Sequence, residues 1–122
     1  MSDSPPLTEG HGADRPPVRT LIHLPRQARR GEVVRVQISI AHPMETGYRP
    51  GADGQVLPRD LIRQVVCRYG PHTVLRARLH PAVAANPYLA FEVVAQISDD
   101  LVFEWTGDHG FSHTERVRLT VV

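Results

Sequence analysis

The sequence predicts an all-β chain folded as an immunoglobulin-like β-sandwich of about seven strands. Two observations carry the prediction. From Val18 onward apolar residues recur in steps of two, and clusters of Gly, Pro, Asn and Asp cut that alternation into short runs. A third bounds the size: 122 residues at 41% apolar content fill one core and leave no room for a second.

The strands follow in order. Val18 to Leu24 is stopped by Pro25, and Gln27 to Glu32, with Gly31, reads as a polar turn. Val34, Val36, Ile38 and Ile40 then share one face of a half-buried strand. A long loop runs from His42 to Arg59, and loops of that length in small domains tend to be functional. Leu61, Val65 and Tyr69 fit a helix after Asp60, but with Cys67 they also alternate; the β-formers Val65, Val66 and Tyr69 favour a strand. Val74 to Leu79 alternates again. Beyond the Pro81 to Tyr88 loop, Leu89, Phe91, Val93 and Ala95 point inward. Ser98, Asp99 and Asp100 form the turn into Leu101, Phe103 and Trp105. Gly107 to Gly110 makes the last hairpin, and Glu115, Val117, Leu119 and Val121 complete the sheet.

Residues 1–17 are polar and rich in Pro and Gly, without an apolar signal core, and are expected to be a disordered arm preceding the domain at 18–122. Arg29 and Arg30 sit in a turn pattern rather than in an export signal, because Gly31 and Glu32 follow directly. No run approaches the ~18 apolar residues that a membrane-spanning helix requires. The net charge of +1 argues against a phosphate-driven, nucleic-acid-binding role. All fourteen basic residues are Arg, scattered along the chain. Arg suits forked contacts with oxyanions, and a codon bias would produce the same usage.

Catalytic and metal chemistry find little support. Cys67 is the only cysteine, which excludes an internal disulfide and paired-thiolate zinc sites. As a nucleophile or sulfur acceptor it would need an activating partner; in mid-strand, beside Val65 and Tyr69, it reads instead as an inert core thiol. His109 and His113 have ligand spacing only on a helix, and in a strand they stand ~13 Å apart. No resident metal or other cofactor is expected, although a stand-alone metal- or ligand-binding sandwich using the surface histidines is the alternative reading. Asp99 and Asp100 are ordinary turn residues. No catalytic residue is assigned, and the chain is expected not to be an enzyme.

Two segments are candidates for a partner interface. The first is His42, Pro43, Met44, Glu45, Thr46, Gly47, Tyr48 and Arg49. Pro43 ends the preceding ladder and Gly47 permits a positive φ, so Met44, Glu45, Tyr48 and Arg49 either project from the sheet end or, in the case of Met44, fold back to plug it. The second is the corner at Asn86, Pro87 and Tyr88, where Pro87 should hold Asn86 extended and the Asn side chain can bond nearby backbone.

These segments carry a resemblance. His42 to Arg49 (HPMETGYR), Val56 to Arg59 (VLPR), Pro81 to Phe91 (PAVAANPYLAF) and Phe103 to Trp105 (FEW) resemble, in order and spacing, SoxZ subunits of bacterial sulfur-oxidation carrier complexes. The resemblance spans Val18 to Val122. It departs at Tyr69 to His72, where an Asn-Gly turn is common, and after Trp105, where an acidic cluster is usual.

It implies an immunoglobulin-like sandwich paired as a heterodimer or heterotetramer with a SoxY-like carrier, whose cysteine lies on a flexible C-terminal tail. The complex would dock transiently with Sox enzymes: a haem cytochrome, a hydrolase and a dehydrogenase that oxidise thiosulfate-derived sulfur. It further implies a periplasmic location, reached by export bound to the signal-bearing partner.

Overall fold

A computed structural model of the chain describes residues 18–80 and 85–122. The expected N-terminal arm, 1–17, and residues 81–84 of the Pro81 to Tyr88 loop lie outside the described residues. Among the described residues eight strands follow in order: β1 (Thr20–His23), β2 (Gln27–Ala28), β3 (Val33–Ile40), β4 (Ile62–Tyr69), β5 (His72–Arg78), β6 (Tyr88–Val94), β7 (Asp99–Gly107) and β8 (Ser112–Val121). They form a three-stranded sheet ordered β1-β3-β6 and a five-stranded sheet ordered β2-β8-β7-β4-β5.

The period-two alternation sets the architecture. Val34, Val36, Ile38 and Ile40 of β3 face Val65, Cys67, Leu101, Phe103, Trp105 and Leu119 in one continuous core. Phe103 and Trp105 stack with ring centres 6.3 Å apart at the middle of the larger sheet. Leu61 to Tyr69 is strand, as the β-branched residues there suggest, because β4 is paired on both sides, by β5 and β7. The Tyr69 hydroxyl donates to the Ile97 carbonyl and accepts the N–H groups of Gln96 and Ile97, both at 3.1 Å. This pins the β6–β7 connection to the opposite sheet.

Two turns are placed differently from the sequence reading. Gln27 and Ala28 form a short strand, parallel to the end of β8, with Ala28 buried. Pro25 cannot extend the β1 ladder, so the chain crosses there to the other sheet. The turn itself is confined to residues 29–32, where Glu32 N–H donates to the Arg29 carbonyl. Asp99 and Asp100 belong to β7, paired with Leu119 and Arg118, and Ser98 makes the turn by exchanging hydrogen bonds with Val121.

Candidate functional site

The loop that leaves β3 is ordered by its own backbone. Glu45 and Asp60 exchange N–H···O=C bonds of 2.8 Å in an antiparallel bridge, and Leu57 N–H reaches the Arg49 carbonyl at 2.8 Å. Both legs of the excursion are therefore tied together at the sandwich end. Gly47 has φ 92°, and a Cβ there would sit 3.2 Å from that of Arg59.

Of the two alternatives for Met44, the structure shows the inward one: it folds back to plug the sandwich end instead of projecting toward a partner. Its side chain is 5% exposed within the core, with φ 55°, and its sulfur accepts the Ile62 N–H at 3.3 Å. His42 is buried as well, at 6% exposure. Its Nδ1 accepts the Met44 N–H at 3.0 Å, its Nε2 lies 3.7 Å from Asp60 Oδ1, and its ring meets Phe111 edge-on. Burial lowers the His42 pKa below its ordinary value, and the charges of Asp60 and Asp108 only partly pull it back. A buried His–Met latch thus plugs the end of the sandwich, and Pro43 between them stays exposed.

Beyond the latch the loop does reach solvent. Tyr48 is 85% exposed, and Arg49 is held at its base by Glu45, with Nη2 2.5 Å from Oε2. The Arg49 hydrogen bond keeps the Glu45 carboxyl below its usual range. The Tyr48 N–H bonds to Thr46 Oγ1 at 3.4 Å. At the second segment Asn86 is not extended: its φ is 56°, a left-handed conformation that Asn tolerates. Its N–H donates to the His42 carbonyl at 2.8 Å, and its Oδ1 accepts the His42 N–H at 2.9 Å. That reciprocal pair outweighs the local preference set by Pro87 and joins the two segments. Pro87 is buried and its carbonyl accepts the Ile40 N–H, whereas Tyr88 is 56% exposed and accepts a hydrogen bond from Gln37.

The sequence reading placed the last hairpin at residues 107–110 but gave it no part in the site. Gly107 lies so close to β4 that a Cβ would meet the Leu61 carbonyl at 2.3 Å. This approach lets Asp108 accept the Leu61 N–H at 3.0 Å and receive Arg63 and Arg59 at 3.1 and 3.3 Å. Burial raises the Asp108 pKa, but the bonds from Arg63 and Leu61 and the two positive charges outweigh it, leaving the carboxyl more acidic than usual. His109, with φ 57°, reaches the Arg59 carbonyl at 2.7 Å. A cleft of about 630 Å³ lies between this turn and Tyr48, Val56 and Arg59. In sequence, an Asp between two glycines looked like plain hairpin punctuation.

Cys67 is fully buried, and desolvation pushes its thiol up to about 12 against a minor opposing effect of Arg68. Among the described residues no three His, Cys, Asp or Glu side chains are grouped to hold a metal ion. His113 instead bonds Glu115 at 2.7 Å on the inward side of β8.

Fold and site define an immunoglobulin-like β-sandwich with a latched, elaborated loop at one end and its single thiol sealed in the core. The chain belongs to the SoxZ family: the family described as sulphur oxidation protein SoxZ matches residues 22–118. Solved structures share the fold. The sulfur carrier protein SoxY from Chlorobium limicola f thiosulfatophilum superposes with a TM-score of 0.61 at 14% identity, covering 84% of this chain and 78% of that one. The superoxide reductase (neelaredoxin) from Ignicoccus hospitalis gives 0.61 at 16% identity, covering 84% and 80%. Comparison with curated proteins yields no match.

Proposed function

We propose that this chain is the non-catalytic partner subunit of a sulfur-carrier complex. It pairs with a SoxY-like sandwich whose C-terminal cysteine bears the sulfur, and it helps present the bound intermediates to thiosulfate-oxidising enzymes in the periplasm. The observation that carries this reading is the state of Cys67. A SoxZ-family chain whose only thiol is fully buried and raised to about 12 is poorly suited to carry sulfur on that group, which leaves the task to a partner. Tyr48, Arg49 and Tyr88, the large exposed side chains of the candidate interface, would contact that partner, with His42, Met44 and Asn86 holding them in place.

Co-expression with a carrier subunit bearing a terminal cysteine, followed by sizing and mass determination, tests the pairing. A mixed complex is expected, and two separate species would overturn the reading. In the reconstituted system Cys67→Ser should leave thiosulfate-dependent turnover within about twofold, far below the ~1.4 kcal/mol of a tenfold change. A persulfide mapped to Cys67 during turnover would move the carrier role onto this chain.

A further inference from the structure

The outer face of the larger sheet collects charge that the sequence scatters. Because Val65, Cys67 and Tyr69 of β4 point inward, Val66 and Arg68 point out. Strand register then sets Arg78 beside Gln64 and Arg76 beside Val66 on one flank, while β8 places Arg116 beside Val102 and Arg118 beside Asp100 on the other. The five arginines form a diagonal band from the β5 corner to the β8 corner, ~25 Å long by strand and residue spacing. Arg76, Arg78, Arg116 and Arg118 are exposed, and Arg68 is 44% exposed.

The charge is concentrated here. From residue 18 onward the chain has thirteen arginines and ten carboxylates. This face holds five of those arginines and two of the carboxylates, Glu104 and Asp100, and so carries the entire positive excess.

We propose that this arginine band is a docking surface for an acidic face of a folded protein. Its length fits within a standard protein interface, which spans ~800 Å² per partner. Guanidinium groups are forked donors matched to carboxylates, and within the band Arg68 and Arg118 already stand near carboxylates, each through a single N···O approach, at 4.0 Å to Glu104 and 3.7 Å to Asp100. The same two carboxylates lie inside the band, where a uniformly charged phosphate chain would meet repulsion. A protein surface with fixed, mixed charges can match them. An anionic membrane is disfavoured for a different reason. Among the described residues no exposed large apolar side chain lies between the arginines of the band, and Val66, at the centre of this face, is 5% exposed. Docking of this kind is fast, oriented and weakened by salt, and it uses a surface separate from the loop that displays Tyr48.

The full chain is titrated by fluorescence anisotropy against a labelled glutamate-rich Glu/Lys copolymer, which carries mixed charges, and a labelled DNA duplex, and by co-sedimentation against phosphatidylcholine–phosphatidylserine vesicles, at ~50 and ~200 mM salt. The mixed-charge acidic copolymer is expected to bind best at the lower salt. Arg76→Gln, Arg116→Gln and Arg118→Gln combined should weaken it at least ~tenfold. A triple variant of equal charge, Arg19→Gln, Arg26→Gln and Arg30→Gln, should bind like the parent. Equal losses in both triples would reduce the effect to net charge and overturn the proposal, as would tighter binding of DNA or vesicles. Thermal unfolding of each variant checks folding; if the band triple does not fold, Arg116→Glu alone is measured, and unchanged binding by it counts against the proposal.

Discussion

Met44 combines three features that together define its role: a left-handed backbone, a core position and a sulfur that accepts a strand N–H. A side chain removed from that position leaves a cavity under the end loop. Met44→Ala should therefore lower the unfolding free energy by ~2–5 kcal/mol in denaturant titrations of the isolated chain. Tyr48 has almost no packing of its own at 85% exposure. Tyr48→Ala should leave stability within ~0.5 kcal/mol. If Tyr48 anchors the carrier, the same change should cost ~2 kcal/mol of binding, read by calorimetry on the complex. Neighbours four residues apart are thus expected to separate stability from binding. Their sequence context does not distinguish them, because each is a bulky residue in a loop.

The end loop as an element depends on a neutral imidazole. His42 Nδ1 must be an unprotonated acceptor for the Met44 N–H, and burial already lowers the His42 pKa below 6.5. The contribution of the neutral ring is complete above pH ~6.5 and is lost as pH falls through the lower folded value. Chain stability measured by denaturant should therefore fall on acidification from pH 7 to pH 5, with the 42–60 loop losing hydrogen-exchange protection first. His42→Gln should be less stable at pH 7 and show a flatter dependence over that window. Asp108 adds a second loss at lower pH, since its depressed pKa gives stability that disappears only as the carboxylate protonates.

Across the whole molecule, β4 and β7 are the central strands of the larger sheet, each paired on both sides and carrying Val65, Cys67, Phe103 and Trp105. Their amides are expected to exchange slowest, near the rate set by global unfolding, while residues 46–59 exchange orders of magnitude faster. Mass spectrometry of peptide fragments would check this; equal protection of loop and central strands would mean that the loop does not open separately from the core. Such a hierarchy leaves a rigid scaffold presenting one loop end and one charged sheet face.

Strand identity was legible in the sequence wherever period-two alternation met a turn residue: β3 and β7 bury the residues that the pattern placed inward, β6 turns Leu89, Phe91 and Val93 to the same side with Val93 buried, and Cys67 lies in the core as its neighbours implied. The resemblance pointed to the SoxZ family that the chain matches over residues 22–118. These features are local, since alternation reports only which side of a strand a residue faces. Three others were decided by tertiary structure. Pairing across 44 positions puts Asn86 against His42 and overrides the extended conformation that Pro87 favours. Packing against Leu61 and Ile62 turns Met44 inward and gives Asp108 its arginine partners. Register between β5, β4, β7 and β8 gathers five distant arginines onto one face, although the chain's net charge is only +1. Each depends on which strands become neighbours, and sheet order is set by the packing of the whole core rather than by any one segment.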